Sequence, residues 1–406
     1  MKVLYLANPL RTGTGGDRRS FEVLKRIGKY GVEPIIVVDD FIWKTMKRDG
    51  SAKLLKHKIY SVKRPNVMYE RYFRSASRAA LDYFSIFETA NVIADIAKKE
   101  RVELIVSEHE KTDFLLEAYF AAKKLSLPWT CVFQLPLFPP YASTKWRPVG
   151  FQRRLYMFAL YSRFYALAAR ALKSTVPLAV SASIELDTKH YLGGWKSRML
   201  VLHPGVGVDN EKMRKIKPSK EKPDAFFFSR LAPEKGIYDL PEIVMEMAKK
   251  KPDLKFSVAG RFGSAAFQNR YESLVTQRGV GGFLDYKGFL KEAELYSLVK
   301  AAKVLVYPSS HDAFPLVVLE TLACGTPVVA YEIPAITLNF PAGLVKTVPV
   351  GNCKLMASEA LKIIGDEDLR SELSKQALSF ASQHVWEKVA EAERQAYDKV
   401  PHAQTA

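Results

Sequence analysis

The sequence predicts an α/β protein built from two domains, each with a parallel β-sheet. Short apolar runs typical of buried strands alternate with helical patterns along the whole chain. The length of 406 residues suits two domains of roughly 200 residues each. A polar segment rich in Lys and Pro, Asn210–Asp224, lies near the middle and is interpreted as the linker.

The predicted strands follow from the apolar runs. In the first half they are Val3–Ala7, Pro34–Val38, Leu104–Ser107, Thr130–Leu135, Leu178–Ser181 and Met199–Leu202. In the second half they are Ala225–Ser229, Lys255–Ala259, Phe283–Lys287, Val304–Tyr307 and Val328–Tyr331. The amphipathic tail Phe380–Tyr397 predicts a closing helix.

An acidic motif follows the strand predicted at Val304–Tyr307. A polar turn with Asp312 leads into a helix pattern with Glu320, and Gly325-Thr326-Pro327 ends that helix before the next strand. This layout places two carboxylates and a helix N-terminus at the carboxyl end of a parallel strand. Such a position suits an anionic, hydroxyl-rich ligand.

A pair of cations follows another predicted strand. Arg230 and Lys235 bracket a loop after Ala225–Ser229, and both could reach one diphosphate, Arg as a planar fork and Lys as a point charge. Fixed cations of this kind would stabilise a leaving diphosphate. Two solvated cations at a turn would be the simpler explanation for the same pattern.

A glycine-rich loop follows the first strand. Gly13, Gly15 and Gly16 precede a predicted helix whose dipole favours an anion. The loop lacks the GxGxxG spacing of nicotinamide-binding proteins.

Together, the acidic motif and the Arg230/Lys235 element resemble those of the GT-B glycosyltransferases, specifically the large retaining family 4 of the group 1 type. This chain has Asp312 where that family usually has Glu, and Pro315, which has no N–H, at a Gly/Pro position. The resemblance implies two Rossmann-like domains that face an interdomain cleft. It places the acceptor-side domain at residues 1–205, with a returning helix at 383–400, and the nucleotide-sugar-binding domain at 206–382.

The resemblance also implies roles for single residues. Arg230 and Lys235 would hold the leaving diphosphate, Asp312 would contact the donor sugar, and Glu320 would accept hydrogen bonds from the ribose. The remaining donor-binding positions implied are Gly15, Gly16, Gly260, Phe289, Leu290, Phe314, Leu316 and Val317. The N–H groups of Leu316 and Val317 are expected to bind phosphate oxygens.

A catalytic histidine is less clearly marked. The family often places a His after the strand predicted at Thr130–Leu135, where this chain has Gln134. His109, after the preceding strand, is the alternative candidate, and a structural or substrate-orienting role for it stays open. A retaining transferase does not require a protein base, because the departing diphosphate can take the acceptor's proton.

Composition limits the other classes of function. With 61 Lys and Arg against 43 Asp and Glu, the net charge is +18, which predicts attraction to anionic surfaces. The three cysteines are far apart and the histidines scattered, so no metal site is expected. The resemblance implies a nucleotide-sugar as co-substrate and no resident cofactor. The first residues do not form a signal peptide, so a cytoplasmic location is expected, and a peripheral position on the inner face of the cell membrane is compatible with it.

Two basic, aromatic stretches, Lys53–Arg78 and Trp146–Lys173, are compatible with an interfacial membrane contact or with core helices that carry solvated arginines. A nucleic-acid groove is disfavoured because no recognition motif is present.

The predicted function is therefore a retaining hexosyltransferase that moves a sugar from a nucleotide-sugar to an acceptor hydroxyl. A lipid-linked glycan at the membrane surface is one acceptor that fits this prediction. A GT-B sugar-nucleotide epimerase is the enzymatic alternative. A non-catalytic, basic membrane- or nucleic-acid-binding protein on a GT-B scaffold is the other.

Overall fold

The protein is described by a computed structural model. It describes residues 1–11, 14–63, 76–136, 162–191 and 199–401. Within these ranges the chain forms two compact units. The first comprises residues 1–205 and 386–406, and the second comprises residues 206–385.

In the first unit, the described residues form a seven-stranded sheet with the order β3-β2-β1-β4-β5-β6-β7. The strands are β1 Lys2–Leu6, β2 Glu33–Asp39, β3 Lys58–Val62, β4 Leu104–Ser107, β5 Trp129–Phe133, β6 Leu178–Ala179 and β7 Leu200–Val201. All neighbours are parallel, and Val3 pairs with Pro34 on one side and Leu104 on the other. The central strands are almost wholly buried, as their continuous apolar sequences predict.

Helices connect these strands. They are Gly15–Leu24, Asp40–Asp49, Ser51–Leu55, Ala76–Glu100, Thr112–Leu125, 162–171, Ala182–Tyr191 and, from the end of the chain, Trp386–Tyr397. The first helix begins at a capping box, in which the Thr14 hydroxyl accepts from the Asp17 N–H and the Asp17 carboxylate accepts from the Thr14 N–H. The last helix turns Trp386, Val389 and Ala390 into the core of the first unit.

The second unit contains a six-stranded parallel sheet with the order β10-β9-β8-β11-β12-β13. Its strands are β8 Ala225–Phe228, β9 Phe256–Ala259, β10 Leu284–Gly288, β11 Val304–Tyr307, β12 Val328–Tyr331 and β13 Lys346–Val348. Its helices are Asn210–Lys215, Leu240–Ala248, Ala265–Arg278, Glu292–Ala301, Leu316–Ala323, Pro334–Thr337, Cys353–Gly365 and Glu367–Gln383.

Strand order places one topological switch point in each unit. In the first unit the order reverses between β1 and β4, and in the second between β8 and β11. Ligands of open α/β sheets bind at such points, outside the carboxyl ends of the strands. The loops that follow these four strands, together with the helices that those loops lead into, carry most of the predicted site residues.

The structure differs from the sequence prediction in three segments. The polar segment Asn210–Asp224 is not a linker but lies within the second unit, and its start forms a helix that is N-capped by Asp209 and buries Met213. The predicted tail helix is two helices separated at residues 384 and 385. Strands β3 and β13 were not predicted, because both are only partly buried and their apolar signal is weak.

Candidate active site

Two loops meet at the switch point of the second unit, one after β8 and one after β11. The carbonyl of Glu234 accepts hydrogen bonds from the Ser309 hydroxyl, at 3.2 Å, and from the Ser310 N–H, at 3.0 Å. Gly236 has a φ of +78°, and a Cβ there would lie 2.0 Å from the Pro308 carbonyl oxygen. Only glycine allows this close approach, so the two loops form one packed surface.

Lys235 and Asp312, which lie on different loops, form an ion pair across this surface. Lys235 Nζ lies 2.7 Å from Asp312 Oδ2, and each side chain is 16% exposed. The Tyr307 hydroxyl also donates to Asp312 Oδ2, and the Ala313 N–H donates to Oδ1 at 3.0 Å. The structure therefore brings the cationic and the acidic motif together, but it pairs their charges.

Arg230, at the other end of the β8 loop, is 64% exposed and pairs with Glu234 Oε1 at 2.5 Å. A pair this exposed is worth roughly 0–1 kcal/mol. Its guanidinium can therefore leave Glu234 for a stronger anionic ligand at little cost.

The helix of the acidic motif begins at Leu316, directly after Pro315. The Leu316 N–H donates to the Phe314 carbonyl at 2.9 Å, a bond that a phosphate oxygen would have to replace, and its binding of phosphate stays a prediction. Val317 lies in the first turn, and the Phe314 ring packs 5.6 Å from the ring of Phe340. Glu320 lies on the buried side of the helix and is 6% exposed.

Three of the predicted donor-binding residues, Gly260, Phe289 and Leu290, lie at the carboxyl ends of β9 and β10. Gly260 has a φ of +143°, and a Cβ there would lie 1.9 Å from the Ser229 carbonyl oxygen. Phe289 is exposed, with the Arg261 guanidinium 4.3 Å from its ring centroid, whereas Leu290 packs against the core. Phe289 and Arg261 thus present a flat, exposed surface.

In the first unit, Gly15 and Gly16 open the helix after β1. A Cβ on Gly16 would lie 2.0 Å from Gln134 Oε1. Gln134 is buried, and its amide donates to the Ser20 hydroxyl, at 3.1 Å, and to the Glu108 carbonyl, at 2.6 Å. Gln134 therefore links the helix Gly15–Leu24, called here the glycine helix, to the loop after β4. Its side chain occupies the space that a Cβ at position 16 would need.

His109 lies in that same loop and is buried. Its Nε2 is 3.8 Å from Asp17 Oδ1, beyond hydrogen-bonding distance, and its ring meets Phe114 edge-on at 5.4 Å. A catalytic role for His109 stays a prediction.

A buried charge cluster behind this loop was not predicted. Arg19 donates from Nη2 to Glu393 Oε2 at 2.6 Å, from Nη1 to Glu108 Oε2 at 3.4 Å, and from Nε to the Gly205 carbonyl at 2.7 Å. The Ser20 hydroxyl also donates to Glu108, at 3.1 Å. The cluster joins the returning helix Trp386–Tyr397 to the glycine helix.

Burial and the neighbouring Glu393 carboxylate raise the pKa of Glu108 well above its ordinary value, although Arg19 opposes the shift. Burial works against the charge on Arg19, but the two carboxylates outweigh it and raise the Arg19 pKa. The raised pKa of Glu108 favours its neutral form beside Arg19.

Little in the sequence indicates that Arg19, Glu108 and Glu393 form a cluster, or that Tyr307 is a partner of Asp312. Arg19 and Glu393 are 374 positions apart. Tyr307 ends an apolar strand five residues before Asp312, and this spacing was the one available hint that its hydroxyl could reach the carboxylate.

Of the two basic, aromatic stretches, the parts at 64–75 and 146–161 lie outside the described residues. Where the second stretch is described, Arg163 and Arg170 are exposed and Phe164 is buried, as in an ordinary surface helix. In the part of the chain that the structure describes, no helix has the length and apolarity needed to cross a membrane.

Comparison with known families matches residues 208–380, all in the second unit, to the family of glycosyl transferases group 1. Similar curated proteins include the D-inositol 3-phosphate glycosyltransferases of Corynebacterium jeikeium and Corynebacterium diphtheriae. The first is 29% identical over 44% of this chain and 43% of its own length. The second is 30% identical over 41% of this chain and 40% of its own length, so the chain spans about half the length of such relatives or less.

Solved structures resemble the whole chain. A glycosyltransferase from Rickettsia africae has a TM-score of 0.70 at 18% identity and covers 98% of both chains. HepE from Anabaena, solved in complex with UDP, has a TM-score of 0.72 at 15% identity and covers 98% of this chain and 100% of its own. The fold class predicted from the sequence is confirmed, and residues 208–380 match the group 1 glycosyl transferases, the family whose motifs this part of the sequence resembles.

Proposed function

We propose that the protein is a retaining hexosyltransferase that moves a sugar from a nucleotide-sugar to an acceptor hydroxyl. The observation that carries this proposal is the 2.7 Å contact between Lys235 and Asp312, because it joins the cationic and acidic motifs at the switch point of the second unit. A protein of the same fold, HepE, has been solved with UDP, which supports a nucleoside diphosphate as the leaving group.

Arg230 and Lys235 would stabilise the negative charge that develops on the diphosphate. Arg230 is exposed and only weakly held by Glu234, so it can turn to a phosphate. Lys235 is already fixed on the loop surface. Glu320, buried on the adjacent helix, would accept hydrogen bonds from the ribose hydroxyls.

In this reaction the bond between the sugar's anomeric carbon and the diphosphate oxygen breaks, and a bond from the same carbon to the acceptor oxygen forms on the same face. The acceptor's proton passes to the departing diphosphate oxygen, so no protein base is required. We expect no resident metal or cofactor, because the two cations supply the positive charge that the leaving group needs.

For the acceptor, we propose a lipid-linked glycan at a membrane surface. The net charge of +18 supports this, since a basic protein is attracted to anionic lipid surfaces. The similarity to transferases named for D-inositol 3-phosphate also favours an acceptor that carries phosphate.

Lys235→Ala tests the proposal. Loss of one charged donor at the leaving group should lower turnover roughly 100-fold or more, equivalent to about 3 kcal/mol. The measurement is donor consumption, after a screen of nucleotide-sugars for slow hydrolysis. The matched control is Lys249→Ala, since Lys249 forms an exposed pair with Glu246 and should leave the rate unchanged.

An unchanged rate in Lys235→Ala would contradict the role of the lysine. Incubation with donor alone separates the enzymatic alternative, because an epimerase converts the donor without an acceptor. Accumulation of an epimerised nucleotide-sugar would overturn the transferase proposal.

A further inference from the structure

Asp312 already uses most of its hydrogen-bonding capacity within the second unit. Oδ2 accepts from Lys235 Nζ, at 2.7 Å, and from the Tyr307 hydroxyl, while Oδ1 accepts from the Ala313 N–H at 3.0 Å. A carboxylate has about four acceptor positions. Little capacity is left for a sugar hydroxyl, which is the role that the family resemblance gives to this position.

Tyr307 holds Asp312 from within the sheet. It is the last residue of β11 and is 1% exposed. A buried tyrosine hydroxyl needs a partner. Burial and the neighbouring Asp312 carboxylate raise the Tyr307 pKa well above its ordinary value, so the hydroxyl stays protonated and donates.

Lys235 can bind an anion without leaving Asp312. An ammonium has three donors. One is directed at Asp312, and the His311 carbonyl, at 3.5 Å, is a second, weak partner. Together the pair has no net charge, so Lys235 offers a phosphate a directed hydrogen bond with its charge largely compensated.

On the premise of the proposed function, we infer that Asp312 is a positioning residue for Lys235, anchored by Tyr307, and that this neutral pair limits how tightly the nucleoside diphosphate product is held. A lysine without a countercharge would attract the diphosphate strongly, before and after the transfer. Binding of that kind does not accelerate the chemical step, and it slows product release. The shorter Asp, in place of Glu, reaches the ammonium from this loop and keeps the two charges together.

Asp312→Asn tests the inference, because it removes the countercharge at nearly constant shape. The probes are UDP, GDP and ADP, titrated calorimetrically into the full chain. For whichever probe binds the wild type, we expect affinity to increase by at least about fivefold in Asp312→Asn. We expect kcat with the matching donor to fall, because release slows and the ammonium is less well fixed.

Tyr307→Phe tests the anchoring of Asp312 separately from the charges of the Lys235–Asp312 pair. It leaves both charges in place, so the affinity for the diphosphate should change by less than about twofold, while kcat falls several-fold. In a Lys235→Gln background, Asp312→Asn should no longer increase the affinity, since the charge it unmasks is absent.

A matched control comes from the same unit. Asp239 accepts a hydrogen bond from the Tyr331 hydroxyl at 2.7 Å, and the structure shows no lysine paired with it among the described residues. Asp239→Asn removes a tyrosine-bound carboxylate without unmasking a cation there, so the diphosphate affinity should not rise. Thermal melting of each variant shows whether the fold is kept.

The outcomes are distinct. Unchanged or weaker diphosphate binding in a folded Asp312→Asn overturns the inference and leaves the transferase proposal standing. Failure of the wild type to bind any of the three probes overturns the transferase proposal and the inference together.

Discussion

The two units use arginine or lysine paired with a carboxylate at the same topological position but in different environments. In the first unit, Arg19 and its partners Glu108 and Glu393 are at most 2% exposed. In the second, the Lys235–Asp312 pair is 16% exposed, and the Arg230 side chain is 64% exposed. Exposure therefore separates an ion pair that holds the fold together from one that is available to a ligand.

The physical reason lies in desolvation. A buried charge that loses its partner cannot be solvated, so the buried cluster must stay complete. A partly exposed cation can exchange a carboxylate for a phosphate, because water compensates the change. We expect substitutions in the first unit to affect stability and equivalent substitutions in the second to affect binding.

The largest expected effect is that of Arg19→Met, which leaves two carboxyl groups without their cation. The first unit should lose about 3–5 kcal/mol of its free energy of unfolding. Urea unfolding followed by circular dichroism, which reports on the helices and strands of both units, measures this in each variant. Arg230→Met is the matched control and should change the free energy of unfolding by less than about 1 kcal/mol.

Equal losses of stability in the two variants would remove the distinction between the units. That outcome would mean that exposure does not decide what these arginines do.

An intermediate effect is expected from Glu108→Gln, which should change how the free energy of unfolding depends on pH. Because the folded-state pKa of Glu108 is raised, its contribution to stability is full below its ordinary value of 4.5 and is lost as pH rises through the folded pKa. Glutamine cannot ionise, so the variant should lose less stability than the wild type as pH rises. The groups facing Glu108 are Arg19, Ser20 and Glu393, with Tyr5 and Tyr397 behind them.

Glu387→Gln provides a control for which the expected dependence of stability on pH has the opposite sign. Although burial opposes the shift, Arg26 lowers the pKa of Glu387, so that contribution is present above the ordinary pKa and is lost as pH falls. If Glu108→Gln followed the wild-type pH profile, Glu108 would not be the group that carries the buried proton.

The smallest effect is expected from Glu234→Gln, which frees the exposed Arg230. The free energy of unfolding should change by less than about 1 kcal/mol, while affinity for the nucleoside diphosphate that binds the wild type should rise about two- to threefold. Calorimetry with UDP, GDP and ADP measures this. Weaker binding would indicate that Glu234 orients Arg230 and does not merely compete for it.

Sequence patterns predicted the architecture where local signals were strong. The helix Leu316–Ala323 between β11 and β12 was predicted because Gly325 and Pro327 end it and apolar strands flank it. The edge strand β3 was missed, since Lys58, Tyr60 and Ser61 are not buried and its apolar signal is weak.

The hydrogen-bond and ion-pair partners of the site residues were harder to predict than the positions of these residues in the fold. The order of the motifs placed Lys235 and Asp312 at carboxyl ends of strands, but not their mutual pairing across 77 residues of chain. The Leu316 N–H was expected to be available for phosphate, and its bond to the Phe314 carbonyl depends on a local turn that the sequence does not specify. Side-chain partners are decided by tertiary packing, which the periodicity of apolar residues in the sequence does not indicate.

The return of the helix Trp386–Tyr397 to the first unit has a consequence for biosynthesis. Domains generally fold in the order in which the ribosome makes them. Here Arg19 is translated 374 residues before its partner Glu393, so a nascent chain that has not reached Glu393 has Glu108 but not Glu393 to pair with this core arginine. We expect termination before residue 386 to yield a polypeptide that chaperones retain or proteases degrade.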